Sequence, residues 1–110
     1  MFAIEEGIQK VNGEYVDTFS RDITGVLLRM RVEAGTNGLS DDPERHGNGR
    51  TYVSMVCEDG DMRFEPVMNE KGLIAGVKIT CCGDSGLRAM IEASSFIKDA
   101  LEDLARELHE

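Results

Sequence analysis

The last quarter of the chain carries the pattern that most constrains its fold, an apolar stripe at helical spacing. Its members recur at alternating spacings of four and three residues: Met90, Ser94, Ile97, Leu101, Leu104 and Leu108. No glycine or proline follows Gly86, and charged residues fill the opposite side of the segment. The stripe therefore predicts one long amphipathic helix over about residues 85–108, roughly 35 Å in length at 1.5 Å per residue.

A helix of that length is longer than a small sheet needs to cover it. We therefore expect its last turns, which carry Leu101, Leu104 and Leu108, to contact another subunit of a homo-oligomer. Fraying of the helix end is the alternative, since helix termini leave backbone groups without intrahelical partners.

The preceding residues, 1–82, have the short alternating patterns of β-strands joined by tight turns. Asn12-Gly13 tolerates positive φ at both turn positions and predicts a hairpin. A half-buried strand is predicted from Val26 onward, because apolar and polar residues alternate as far as Glu33. The segments 50–58, 61–65 and 73–81 predict three strands of one antiparallel meander, with Pro66 at a strand edge or end.

Together these patterns predict a single α+β domain spanning residues 1–110. Its β-rich part, residues 1–82, is an antiparallel sheet of hairpins and meander, and one long C-terminal amphipathic helix follows. A chain of 110 residues is near the usual size of one domain and can bury a core without disulfides or metal.

Charge and cysteine usage narrow the classes of function. The net charge of −9 disfavours general nucleic-acid binding and anionic membrane surfaces, because both are negatively charged. The first residues lack a basic segment followed by an apolar run, so we expect no signal peptide and a cytoplasmic protein, in the host cell if viral. The cysteines, Cys57, Cys81 and Cys82, are expected to be reduced, partly buried thiols.

The richest candidate site is the glycine-rich stretch 35–51, which is long for a connection in a compact domain. Glycines let a backbone approach a ligand closely and present amide donors to anions. Arg45 and Arg50 suit phosphate, and His46 suits phosphate or a base, while Asn37 and Thr51 add uncharged polar contacts. The alternative is a surface loop whose arginines pair with its own acidic residues.

The second candidate is the turn at the predicted helix start. Free amides there attract anions, Asp84 is suited to accept a ribose hydroxyl, and Arg88 lies one turn further on. Asp84 and Ser85 are equally well explained as helix caps.

Neither catalysis nor a bound metal is expected. The loop lacks the Gly-Lys-Ser/Thr ending of a phosphate-binding loop, and Asp41, Asp42 and Glu44 lack the twelve-residue spacing of a calcium loop. No nucleophile has a histidine partner in view. We therefore expect no enzyme activity, no cofactor and no metal; a small enzyme dependent on His46 or a carboxylate is the alternative.

Several short pieces together resemble the anti-Thoeris nucleotide-sponge family of phages. These are Glu33-Ala34-Gly35-Thr36-Asn37-Gly38, His46-Gly47, Gly49-Arg50-Thr51-Tyr52 and, before the helix, Cys82-Gly83-Asp84-Ser85. The resemblance follows the order of elements over about residues 26–104, and the segment Leu39 to Arg45 departs from the glycine-rich run of that family.

The resemblance implies a non-enzymatic viral immune-evasion protein that sequesters a cyclic nucleotide signal of a bacterial anti-phage defence system. The implied ligand is a cyclic ADP-ribose isomer, with cyclic oligonucleotides also possible in the family, and Arg50, Thr51, Asn37 and Asp84 are the implied contacts. The alternative function is an acidic inhibitor that covers the basic, nucleic-acid-binding surface of a partner protein. That function predicts acidic side chains clustered on one face.

Overall fold

The computed structural model describes residues 4–38 and 49–107, which form six strands and one helix. In chain order these are β1 (Glu5–Val11), β2 (Glu14–Thr24), β3 (Leu28–Thr36), β4 (Thr51–Gly60), β5 (Met62–Met68), β6 (Ile74–Cys81) and α1 (Gly83–Glu107). The predicted α+β class, with antiparallel strands followed by one long C-terminal helix, is confirmed.

Strands β1 to β4 form a four-stranded antiparallel sheet in their order along the chain. The predicted hairpin at Asn12-Gly13 joins β1 to β2, and both residues have positive φ, 48° and 87°. Such angles match the right-handed twist of the flanking strands. The local turn sequence therefore sets the register of the first two strands.

One face of this sheet holds the core. The alternation predicted for β3 is confirmed, since Leu28, Met30, Val32 and Ala34 are all buried. Helix α1 packs over β3 and β2 through small or flat side chains, Ala89, Ala93, Phe96 and Ala100. The strand begins at Leu28 rather than Val26, because Val26 lies in the turn after β2 and is exposed.

The opposite face of the sheet carries a network of polar side chains joined by hydrogen bonds. Thr18 Oγ1 donates to Glu33 at 2.6 Å, and Gln9 donates to the same carboxylate from β1. Arg31 bridges Glu5 and Asp22 from the middle of the sheet. Hydrogen bonds to these two carboxylates raise the pKa of Arg31, and the same bonds tie three strands together.

The predicted three-stranded meander is wrong in its pairing. Strand β4 pairs with β3, whereas β5 pairs with β6 in a separate two-stranded sheet, here called the ribbon (residues 62–81). Asp61 alone separates β4 from β5, which is too short for a hairpin loop. Gly60, with φ 123°, redirects the chain there, and a Cβ at this position would lie 2.7 Å from the Leu27 carbonyl oxygen.

Helix α1 is amphipathic as predicted, but near its C-terminal end the side chain of Leu104 is buried beside the sheet of the same chain. Leu104 is 5% exposed and lines a cleft with Gly7, Thr18 and Phe19, so the sheet is not outrun at this position. Leu101 is half-buried against the core, and Leu108 lies outside the described residues. In the described part of the chain, no helix is long and apolar enough to cross a membrane.

Candidate functional site

The two ends of the predicted binding loop meet where β3 ends and β4 begins. The Asn37 amide donates to the Arg50 carbonyl at 3.1 Å, and the Arg50 amide donates to Asn37 Oδ1 at 2.6 Å. Thr36 and Thr51 face each other in the register, and their hydroxyl oxygens lie 3.1 Å apart. These bonds fix the exit and return points of the chain in one place.

Two of the predicted ligand contacts therefore have a structural role at the base of the loop. The side-chain oxygen of Asn37 and the hydroxyl of Thr51 both take part in the closure. The Arg50 guanidinium donates to the Gly49 carbonyl at 3.1 Å, so it lies at the mouth of the loop. Arg45 and His46 lie outside the described residues.

The other predicted residues, at the helix start, line a single cleft. Asp84, Ser85 and Arg88 share a cleft of about 540 Å³, which lies within the size range of small-molecule sites. Its opposite wall is the turn between β2 and β3, with Ile23, Thr24, Gly25 and Val26, and Ala89 and Glu92 complete it. The cleft therefore combines one cation, two carboxylates and apolar side chains.

The helix begins at Gly83, so Asp84 and Ser85 belong to its first turn rather than preceding it. Asp84 and Arg88 are exposed and can reach a ligand in the cleft. Ser85 packs inward, since a Cβ on Gly25 would collide with its hydroxyl oxygen. That oxygen is buried without a hydrogen-bond partner in the described structure, which sets Ser85 apart from an ordinary helix cap.

Within one chain, the described loop-base residues Asn37, Arg50 and Thr51 lie apart from the predicted residues at the helix start. The loop base lies at Thr36, whereas the helix start lies beside Leu28 at the other end of β3. Eight residues of strand separate these ends, or about 26 Å. Along α1, Ser85 lies beside the turn after β2, and Leu104, about 28 Å further on, lies beside Thr18 at the other end of the sheet. A compact ligand touching both the loop base and the helix start would have to lie between two chains.

Sequence reasoning missed the turn that forms the second wall of the cleft. Gly25 and Val26 precede the helix start by about 60 residues in the sequence. The available signal was Gly25 itself, which indicates a turn but not what the turn faces. Their proximity arises because β2, β3 and α1 all end or begin at this edge of the core.

Several acidic side chains on the helix are paired with basic ones. Glu92 contacts Arg21 from β2, Glu102 contacts Lys98, and Asp103 contacts Arg106. Asp99 lies beside Glu92 along one cleft of the helix flank. Glu92, Asp99 and Asp103 thus line the same flank of α1, with Arg21 the cation that lines this cleft beside them.

The thiols lie where the ribbon joins the sheet and the helix. Cys81 is partly buried, and burial, followed by the nearby Cys57 and Asp61, raises the pKa of its thiol. Cys82 is exposed, and a hydrogen bond to Asp61 together with the charge of that carboxylate raises its pKa. Both thiols are thus kept in the protonated, weakly nucleophilic form at neutral pH.

Comparison of the chain with protein families, curated proteins and solved structures found no match.

Proposed function

We propose that the protein binds a small anionic nucleotide and retains it without turnover. The observation that carries this proposal is the cleft at the helix start, which gathers Asp84, Ser85 and Arg88 against an apolar wall. A guanidinium suits a phosphate, a carboxylate suits ribose hydroxyls, and apolar side chains suit the face of a base. The first-turn amides of α1 add a positive partial charge on the same side.

The ligand class follows the resemblance noted in the sequence. A cyclic ADP-ribose isomer, or a cyclic oligonucleotide, carries phosphates, ribose hydroxyls and bases in one compact molecule. In this proposal the protein is a viral sponge that removes such a signal from a bacterial defence system in the host cytoplasm. The loop base, with Arg50 at its mouth, supplies a second cationic contact. Because it lies at the far end of β3, it would reach the ligand from another chain.

Self-assembly through the C-terminal helix belongs to this proposal. Met90, Ile97 and Leu101 form a half-buried apolar line on α1 that a neighbouring subunit can cover. Assembly of this kind would place two chains close enough for one ligand to contact both.

The test is to mix the purified protein with cyclic ADP-ribose isomers and cyclic oligonucleotides, then release and identify what was bound. Recovery of intact ligand is the expected result, whereas chemically altered ligand would identify an enzyme. Failure to bind any of these compounds at micromolar concentration would reject the nucleotide proposal.

Three arginine variants locate the site. Arg88→Gln removes the cation of the cleft, and loss of a charge-assisted hydrogen bond costs about 1.5–3 kcal/mol. This is roughly a ten- to hundredfold rise in Kd. Arg106→Gln is the matched control, since it removes an equal charge from the last turn of the same helix.

Arg50→Gln distinguishes the two parts of the site. Weaker binding with Arg50→Gln as well as Arg88→Gln indicates a ligand that spans two chains. An effect of Arg50→Gln alone would place the ligand at the loop and show that the cleft assignment is wrong. Equal effects of Arg88→Gln and Arg106→Gln would indicate only general attraction by positive charge.

A further inference from the structure

A groove runs along the flank of α1 on the side of β1. It consists of two clefts, of about 610 and 400 Å³, that adjoin at Phe19. Helix α1 packs over β3 and β2, whereas Ile4 and Ile8, at the neighbouring edge of the sheet, remain 58% and 64% exposed. The groove therefore opens where the helix ceases to cover the sheet.

The floor of this groove is apolar. Ile8 lies on the helix side of β1, because the preceding residue, Gly7, pairs with Thr18, whose hydroxyl donates on the opposite face. Ile8 lines the larger cleft with Phe19, and Phe96 lines the smaller cleft with the same ring. Apolar side chains of a partner can therefore be buried along both clefts.

The lining of the groove is also strongly acidic. Because one cation faces five carboxylates, the lining keeps an excess of negative charge. The two clefts are here called the acidic groove, and their charged side chains are Glu6, Asp17, Glu92, Asp99, Asp103 and Arg21.

Three of the carboxylates are available to a partner. Glu6, Asp17 and Asp99 are exposed and make no ion pair with another residue in the described part of the chain. The other two have cations, since Glu92 lies 3.6 Å from Arg21 and Asp103 lies 3.7 Å from Arg106. A cationic partner can thus pair with three carboxylates without displacing an existing contact.

The cations outside the lining leave the middle of the groove negative. At 100° per residue, Arg88 and Arg106 lie on the same flank of α1, one toward each end of the helix. Lys98 pairs with Glu102 further round the helix, and Lys10 lies over an aromatic ring further along β1. None of these four cations lines either cleft.

Charge and length select the kind of occupant. A nucleotide, a nucleic acid or a second copy of this chain of net charge −9 is negatively charged and is repelled. A small cation satisfies the carboxylates but leaves the apolar floor uncovered. From Ile91 to Leu104 the groove follows α1 for about 20 Å, the length of about six extended residues.

We propose that the acidic groove binds a segment of another protein in which lysine or arginine side chains flank apolar ones. The carboxylates accept hydrogen bonds from the cations, and the apolar side chains are buried against Ile8 and Phe19. Opposite charge also speeds the encounter of the two proteins. The inference does not rest on the proposed nucleotide site, and it gives a place on the chain to the acidic partner surface that the sequence suggested as an alternative.

The probe is a fluorescein-labelled peptide of about ten residues, long enough to span the groove, in which lysines alternate with leucines. Fluorescence anisotropy with the full chain should show saturable binding with a micromolar Kd at low salt, and salt should weaken it by screening the charges. A peptide with serine in place of leucine should bind about tenfold more weakly. A peptide with glutamate in place of lysine should not bind, and spermine should compete poorly.

Carboxylate variants locate the bound peptide. Asp17→Asn and Asp99→Asn each remove one exposed charge, from different clefts, and should each raise the peptide Kd about two- to fivefold. The double variant should multiply the two effects, since the sites are separate. Asp59→Asn is the matched control, because Asp59 lies on β4 at the opposite edge of the sheet and should leave the Kd unchanged.

An apolar variant tests the floor of the groove. Ile8→Ser removes an exposed apolar side chain and should raise the peptide Kd about tenfold. Ile74→Ser is the matched control, since Ile74 is similarly exposed but lies in the ribbon. Circular dichroism checks that each variant is folded, and the serine peptide tests the same contact without any change to the protein.

The proposal fails if the leucine–lysine peptide shows no saturable binding. It also fails if the serine peptide or spermine binds as tightly, which would indicate only attraction of counter-ions. Equal effects of Asp59→Asn and Asp99→Asn, or no effect of Ile8→Ser, would likewise place the peptide elsewhere. None of these measurements involves nucleotide, so failure of this groove and failure of the proposed function are separately visible.

Discussion

The four-stranded sheet with its helix and the two-stranded ribbon use similar sequences in opposite ways. Both contain alternating apolar residues, as in Leu28, Met30 and Val32 of β3 and in Val77 and Ile79 of β6. In the sheet these side chains are buried under α1, whereas in the ribbon they face solvent. The pattern alone therefore specifies which side chains share a face, and the presence of a covering layer decides whether that face becomes core.

The largest difference between the two regions should appear when a methionine is truncated in each. Met30→Ala removes a fully buried side chain and should cost about 2–5 kcal/mol of unfolding free energy. Met68→Ala, in the half-exposed end of β5, should cost less than about 1 kcal/mol. Urea denaturation at low protein concentration measures both. Equal losses would mean that the ribbon is packed as tightly as the sheet.

A smaller difference is expected when a methyl group is added to a glycine in each region. A Cβ on Gly35 would collide with the Asp17 carbonyl oxygen and lie 2.6 Å from the Thr18 methyl group. Gly35→Ala should therefore destabilise the protein by about 1–3 kcal/mol through overpacking.

Gly76→Ala is the control in the ribbon, because its Cβ would meet only Val67, at an ordinary 3.8 Å. It should be neutral or slightly stabilising, since alanine has less backbone entropy to lose than glycine. Thermal unfolding of the two variants side by side provides the measurement. A stable Gly35→Ala protein would show that β2 and β3 are less closely packed than described.

The smallest effect concerns the junction between the two regions and changes a rate rather than the stability. The hydrogen bond to Asp61 raises the pKa of Cys82, which lowers its thiolate fraction near pH 8 and should slow alkylation by iodoacetamide. Asp61→Asn removes the negative charge, lowers the thiol pKa and should speed the reaction several-fold. Peptide mapping by mass spectrometry follows Cys82 separately from Cys57 and Cys81.

The control is Asp59→Asn. Asp59 is also acidic but is not among the groups that shift the pKa of Cys82, so this variant should leave the alkylation rate unchanged. If both variants react alike, general surface charge rather than the Asp61 contact controls this thiol.

Local sequence signals predicted the parts of the fold that depend on neighbouring residues. The Asn12-Gly13 turn, the alternation in β3 and the apolar stripe of α1 each follow from backbone preferences or side-chain periodicity. The predicted three-stranded meander is wrong because strand pairing depends on which edge of a sheet is available to the next strand. Gly60 carries the chain past the sheet edge instead of back along it, and nothing local to Asp59-Gly60 distinguishes the two paths.

The candidate site, like the fold, could be predicted from the sequence only in part. Asp84, Ser85 and Arg88 fall within one helical turn, so their proximity follows from the sequence alone. Their meeting with the turn at Gly25, and the separation of this cleft from the loop base, depend on where β3 begins and ends. Asn37, Arg50 and Thr51 fall in one predicted loop. Only the structure shows the hydrogen bonds that give Asn37 and Thr51 a structural role.

The sequence by itself determined an acidic α+β chain whose antiparallel strands precede one long amphipathic helix, since these features rest on short-range preferences and net charge. The tertiary structure alone decided that α1 covers β3 and β2, that its Leu104 contacts its own sheet, and that β5 and β6 form a separate ribbon. The physical reason is that hydrophobic burial has no direction. An apolar stripe requires a covering surface, but only the packed chain shows whether that surface comes from the same molecule or is left for another.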